Sequence, residues 1–162
     1  LHQESENSMS AIETKLREHG FELPPVAAPV ASYIPAQRTG NLVFTSGQLP
    51  TLEGKLIAEG ILGVDVDEVT AARCAQQSVL NALAAIKDVI GDLDNIVKIV
   101  KVVGFVASHP TFTKQSVVVN GASDLLALVF GEDAKHARSS IGMAVLPMNA
   151  PVEIELIVEV KE

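Results

Sequence analysis

From Val152 to Val160 the side chains alternate: Val152, Ile154, Leu156, Val158 and Val160 are separated by Glu153, Glu155, Ile157 and Glu159. A period of two predicts a strand with one buried face. A period of three to four runs through Ala72, Ala75, Val79, Leu83, Ile86 and Ile90, and predicts a helix from Asp67, its cap, to about Ile90, stopped by Gly91. The small residues on that stripe let the helix lie close to a sheet. Ile96 to Ala107 is too rich in valine and isoleucine for a helix and predicts a long central strand.

Weaker signals fill the intervals. Ser10-Ala11-Ile12-Glu13 fits a capping box that opens a short helix ending at Gly20. Pro24, Pro25 and Pro29 then impose an extended lead. Thr39-Gly40-Asn41 is a turn joining 33–38 to 42–46 as a hairpin, and Gly54, Gly60 and Gly63 mark 51–66 as a loop over a pocket. A second helix is predicted from Ser108-His109-Pro110, with Phe112, Val119, Leu126 and Val129 as its stripe, although the valine run 117–119 and Gly121 weaken it. Arg138 to Val145 predicts a strand that pairs with 152–160 about Met148-Asn149.

The order is β-β-α-β-α-β-β, an α+β domain of one sheet with two helices packed on one face. That leaves the other face bare and apolar, so it is expected to pack on copies of itself.

At 162 residues, 48% of them hydrophobic, the chain reads as one compact domain. A net charge of −8 with no basic cluster argues against gripping a nucleic-acid backbone. Cys74 is the only cysteine and His2, His19, His109 and His136 are scattered, so no disulfide, metal or cofactor is expected and the histidines read as surface or cap residues. There is no apolar run of about 18 residues and no signal-peptide core, so a cytoplasmic protein with no membrane partner is expected. Leu1 to Ser8 is polar, precedes Met9 and reads as a vector-derived remnant. It is followed by a helix and proline-rich lead over 9–27 and the main domain over 28–162.

Arg138 is the lone charge in the run 138–151. Guanidinium is permanently charged and forked, so it suits bidentate grip of a small carboxylic acid. The plainer reading is a strand-end arginine in a surface ion pair.

The most specific pieces are Tyr33 after the proline-rich lead, the run Gly40 to Pro50, Ala137-Arg138-Ser139, Leu146-Pro147 and Val152-Glu153-Ile154-Glu155. Over roughly Ala28 to Val160 the chain resembles the YjgF/RidA, or UK114-like, enamine/imine deaminase family. The resemblance implies a chorismate-mutase-like homotrimer with a site in each subunit cleft. It also implies hydrolysis of reactive enamines and imines, such as 2-aminoacrylate, to 2-keto acids and ammonia. Carried over by residue, Arg138 clamps the substrate carboxylate, Glu153 positions or activates water, and Tyr33, Ser46, Gly47 and Asn120 line the pocket. Ser140 stands where many members carry cysteine and keeps a small hydrogen-bonding group, while His136 replaces a frequent proline and the loop between Pro50 and Asp67 is longer.

Three other readings stay open. One is a non-catalytic binder of small carboxylates, one an endoribonuclease or translation inhibitor, and one a chorismate mutase, which needs more cations than surround Arg138. If 138–145 and 152–160 form a hairpin, Glu153 lies opposite about Ala144, roughly 20 Å from Arg138 at strand rise. On that geometry Glu153 must enter the site from a neighbouring subunit.

Overall fold

The computed structural model describes residues 10–26 and 31–162. The reading of Leu1 to Ser8 as a remnant, Pro29 of the lead and the junction at 27–28 lie outside the described residues. Helix α1 spans Ala11–Glu18 and shows the serine half of the predicted box, Ser10 Oγ accepting from the Glu13 N–H at 3.0 Å, while the Glu13 carboxylate pairs with Lys87 at 2.7 Å. After the lead come β1 (Ala36–Thr39), β2 (Leu42–Thr45) and a small hairpin, β3 (Thr51–Leu52) with β4 (Lys55–Leu56), inside the predicted loop. Then follow α2 (Glu68–Ile90), β5 (Ile96–Ala107), α3 (Gln115–Phe130), β6 (Ala137–Met143) and β7 (Val152–Val160).

The main sheet has the order β1-β2-β7-β5-β6. Val152, Ile154, Leu156, Val158 and Val160 are all 0–2% exposed, which is why the most regularly alternating segment becomes a central strand. Helix α2 lies over β1, β2 and β7, and α3 over β5 and β6, all on one face. Two glycines set how closely α3 seats. A Cβ on Gly121 would run into the Ala72 backbone of α2, and one on Gly104 into the Val119 side chain. Gly121 thus costs helix propensity and permits helix contact.

Two expectations fail. The second helix begins at Gln115 rather than at Ser108-His109-Pro110, because that segment is tied to the strand end. Ser108 N–H donates to the Met143 carbonyl, Ser108 Oγ to that of Val106 and His109 N–H to that of Leu62. These bonds hold 108–109 on the path of the strand end, and Ser108 Oγ, which as a cap would accept a helical N–H, instead accepts from Gln115 Nε2 at 3.2 Å.

The hairpin of the last two strands is also absent, and the strand predicted to reach Val145 ends at Met143. β6 runs parallel to β5 on the sheet edge, while β7 lies between β2 and β5, antiparallel to both. The chain between them crosses the end of β5, where Leu146 and Ala150 bury against Ala107 and the Ala107 N–H donates to the Pro151 carbonyl. Burying that crossover and using all of β7's apolar face favours the central position over a local hairpin. Glu153 therefore stands opposite Phe105, not Ala144.

The face away from the helices carries Leu42, Phe44, Ile141 and Met143, exposed by 36–44%, on the same side as Phe105 and Glu153. It is an apolar sheet face with acids set into it, as expected.

Candidate functional site

Register decides which face each predicted residue occupies. Arg138 pairs with Val102 and Ser140 with Gly104, and these two β5 positions face the helices, so Arg138 and Ser140 do too. Glu153 alternates with the buried Val152 and Ile154 and faces the opposite way. Arg138 and Glu153 thus lie on opposite faces of one sheet, with β5 between their strands.

Around Arg138 the structure gathers helix α3. Its Nη1 donates to Asn120 Oδ1 at 2.8 Å and to Ser123 Oγ at 3.2 Å, and its Nη2 to the Ser116 carbonyl at 3.4 Å. Both Nη1 hydrogens are engaged. Among the described residues, Nε–H and one Nη2 hydrogen have no acceptor, which leaves two guanidinium donors for an anion. Ser140, two residues on along the same face, buries its Oγ without a partner among the described residues.

Around Glu153 the arrangement comes from a bulge. β2 and β7 pair in register to Phe44 and Ile157 and meet again at Gln48 and Ile154, so three residues, Thr45, Ser46 and Gly47, face two, Glu155 and Leu156. Such an insertion bends the strand and frees ladder groups. The buried Thr45 Oγ1 accepts the freed Leu156 N–H at 2.9 Å. Gly47 then lies against Glu153, where any Cβ would collide with the carboxylate. Desolvation, and secondarily Glu155, push the Glu153 carboxyl above the ordinary value of 4.5.

Tyr33, 57% exposed, and Gly47 line a groove of about 650 Å³ walled by Leu23, Leu49, Leu52 and Ala85. The predicted loop therefore does flank a pocket, through its β3–β4 hairpin. Ser46 holds that rim in place: its Oγ donates to the Ile34 carbonyl at 2.6 Å and its N–H to that of Pro35 at 2.8 Å. The seven predicted residues fall into two groups, Arg138, Asn120 and Ser140 on one side, and Glu153, Gly47, Ser46 and Tyr33 on the other.

A profile described as "YjgF/chorismate mutase-like, putative endoribonuclease" matches residues 13–160. The chain is 38% identical to Protein TCP17 of Trypanosoma cruzi over 91% of this chain and 93% of that one. The chain belongs to the YjgF/chorismate mutase-like family. Among solved structures, the Atu1372 protein of Agrobacterium tumefaciens superposes with a TM-score of 0.88 at 47% identity, covering 93% of each chain. An endoribonuclease-named protein of Shewanella oneidensis gives 0.88 at 35% identity, over 92% of this chain and 99% of that one.

Within this YjgF-like chain sequence reasoning missed Ser123, and it took His136 for a surface or cap residue. His136 is half-buried and its Nε2 lies 2.9 Å from Ser123 Oγ. The signal was present, since Ser123 follows Asn120 by three helical positions and shares its face. Cys74 is buried, and desolvation pushes its thiol up to about 11, which leaves no thiolate for chemistry. Among the described residues no His, Cys, Asp and Glu group could hold a metal ion, and no helix is long and apolar enough to cross a membrane.

Proposed function

We propose that the protein hydrolyses small reactive enamines and imines of the 2-aminoacrylate type to 2-keto acids and ammonia. The site is the cleft where the Arg138 side of one protomer meets the Glu153 side of the next in a homotrimer. One observation carries the reading: a cation with two donor hydrogens left free and an acid with raised proton affinity face opposite ways on one sheet, as two halves completed by a neighbour.

Arg138, steadied by Asn120, grips the carboxylate and fixes the imine carbon. Glu153 takes a proton from water as the water oxygen attacks that carbon and returns it to the former imine nitrogen; it then moves the hydroxyl proton of the tetrahedral amino alcohol to the same nitrogen as the C–N bond breaks, releasing keto acid and ammonia with Glu153 ionised again. Ser140 Oγ supplies a hydroxyl to the bound acid. Such imines hydrolyse unaided, so orientation and a modest base suffice. A net charge of −8 and a single cation at the site argue against an RNA backbone as the substrate.

The test follows keto-acid release from 2-aminoacrylate generated in situ by a dehydratase. Arg138→Ala is expected to lose about 10²- to 10³-fold in kcat/KM, since a charge-assisted bidentate contact is removed. Refolding Arg138→Ala together with Glu153→Gln then restores about a quarter of the wild-type sites, because one interface in each mixed trimer regains both native halves. No recovery on mixing would place the site within one protomer. Unaccelerated keto-acid release with 2-oxobutyrate still bound would make the protein a carboxylate binder.

A further inference from the structure

Arg138 does not meet Asn120 alone. Its Nη1 also donates to Ser123 Oγ at 3.2 Å, Ser123 Oγ lies 2.9 Å from His136 Nε2, and His136 Nδ1 meets the Ala134 carbonyl. The end acceptor fixes every hydrogen in the row. A carbonyl only accepts, so in the neutral ring Nδ1 carries the hydrogen and Nε2 is bare. A bare ring nitrogen only accepts, so the Ser123 O–H points at it. Ser123 then offers its lone pairs to Arg138, whose N–H groups only donate. Hydrogen bonds aligned head to tail in this way polarise one another.

Three segments converge to make the row. Ser123 stands one turn beyond Asn120 on α3, Ala134 is buried in the turn after that helix, and His136 comes two residues before Arg138. The two middle members depend on each other. Without His136 the Ser123 hydroxyl loses this acceptor, and without Ser123 the ring has no contact leading to Arg138.

We propose that Ser123 and His136 are positioning residues that set the bite of Arg138, an inference that rests on the site described above. They hold Nη1 against α3 and leave Nε–H and the remaining Nη2 hydrogen for a carboxylate. An arginine side chain carries about 2 kcal/mol of rotamer entropy, and holding it before the ligand arrives removes part of that ordering from the binding step.

Calorimetric titration with 2-oxobutyrate, beside steady-state keto-acid release, tests the assignment. Ser123→Ala is expected to raise Kd and KM about five- to tenfold with kcat within about twofold, since a ground-state grip is loosened and the chemical step is untouched. Ser123→Thr keeps the hydroxyl and His136→Gln offers an amide oxygen to it, so both stay within about twofold of wild type. His136→Leu matches Ser123→Ala, and the double variant is no worse than either single one, as members of one row must be. An unchanged Kd in Ser123→Ala, a fall in kcat alone, or additive losses in the double variant would overturn the assignment. Those outcomes leave the clamp itself standing if Arg138→Ala still abolishes binding. An unchanged Kd in Arg138→Ala removes the clamp and this assignment with it.

Discussion

Arg138, on the edge strand β6, has acceptors for three of its N–H groups within 3.4 Å, whereas Glu153, on the central strand β7, lies against a glycine with no hydrogen-bond partner among the described residues and Glu155 two positions away. One charge is held by several protein partners; the other is half-buried and held by none among the described residues. A clamp works by geometry, so its partners supply direction and its charge is permanent. A general base works by proton affinity, so an environment that disfavours its charged form raises its pKa toward the useful range. Under the proposed mechanism the two halves differ in the way their two tasks require.

The sharpest way to break this comparison is to neutralise Glu153. Glu153→Gln keeps the shape and is expected to lower kcat about 10²-fold with KM little changed, because a positioned base is removed and the carboxylate grip remains. The wild-type rate should fall on acidification through a limb above 4.5, since Glu153 must be ionised to act and its carboxyl is raised. Stability moves the other way. Between the unfolded value and the higher folded one the native chain holds more proton, so stability is greatest below the unfolded value and is lost as pH rises through the folded one. Glu153→Gln escapes that loss. It should melt above wild type at pH 7, with the gap closing as pH falls below 4.5. A variant that melts below wild type at pH 7 would mean that the carboxylate is satisfied after all.

A smaller change at the same half tests the close approach. Gly47→Ala places a methyl where the Glu153 carboxylate lies, so the acid must swing away. An expected loss of about tenfold in kcat follows from misplacing a base by about an ångström, with the Kd for 2-oxobutyrate unaltered. If Gly47→Ala weakened that Kd as much as it slowed turnover, the two halves would not be separable.

Much of this contrast was legible in the sequence. The alternation of 152–160 and the stripes of 67–90 named strand, helix and buried face, because local periodicity reports burial directly. Partnership is another matter. Nothing in 138–145 says whether it pairs with the segment before it or after it, and the nearer partner is the wrong one here. Once β6 is set parallel to β5, the parity of Val102 puts Arg138 beneath α3, and Asn120 and Ser123 become its neighbours. The start of α3 was misread for a similar reason, since Ser108 is a helix-capping residue by type, while long-range bonds to Leu62 and Met143 hold 108–109 on the strand end. Gly121 was read as a weakness of the helix, although it is what admits the Ala72 backbone.

The bulge offers the finest cut between the halves. Thr45 Oγ1 is the acceptor for the Leu156 N–H, a bond in a buried setting, and Thr45 itself is only 8% exposed. Thr45→Val conserves the volume and removes the acceptor, leaving a buried N–H that costs about 1–3 kcal/mol. The strand can recover that bond only by pulling the extra residue back into the ladder, which shifts Gly47 relative to Glu153. Urea denaturation should therefore show the stability loss, and kcat should fall by about two- to fivefold, while the β6 side, separated from β7 in the sheet by β5, keeps its grip. Arg138 binding of 2-oxobutyrate unchanged in Thr45→Val is the expected outcome. An equal loss on both sides would mean that the bulge supports the whole sheet rather than the acid alone.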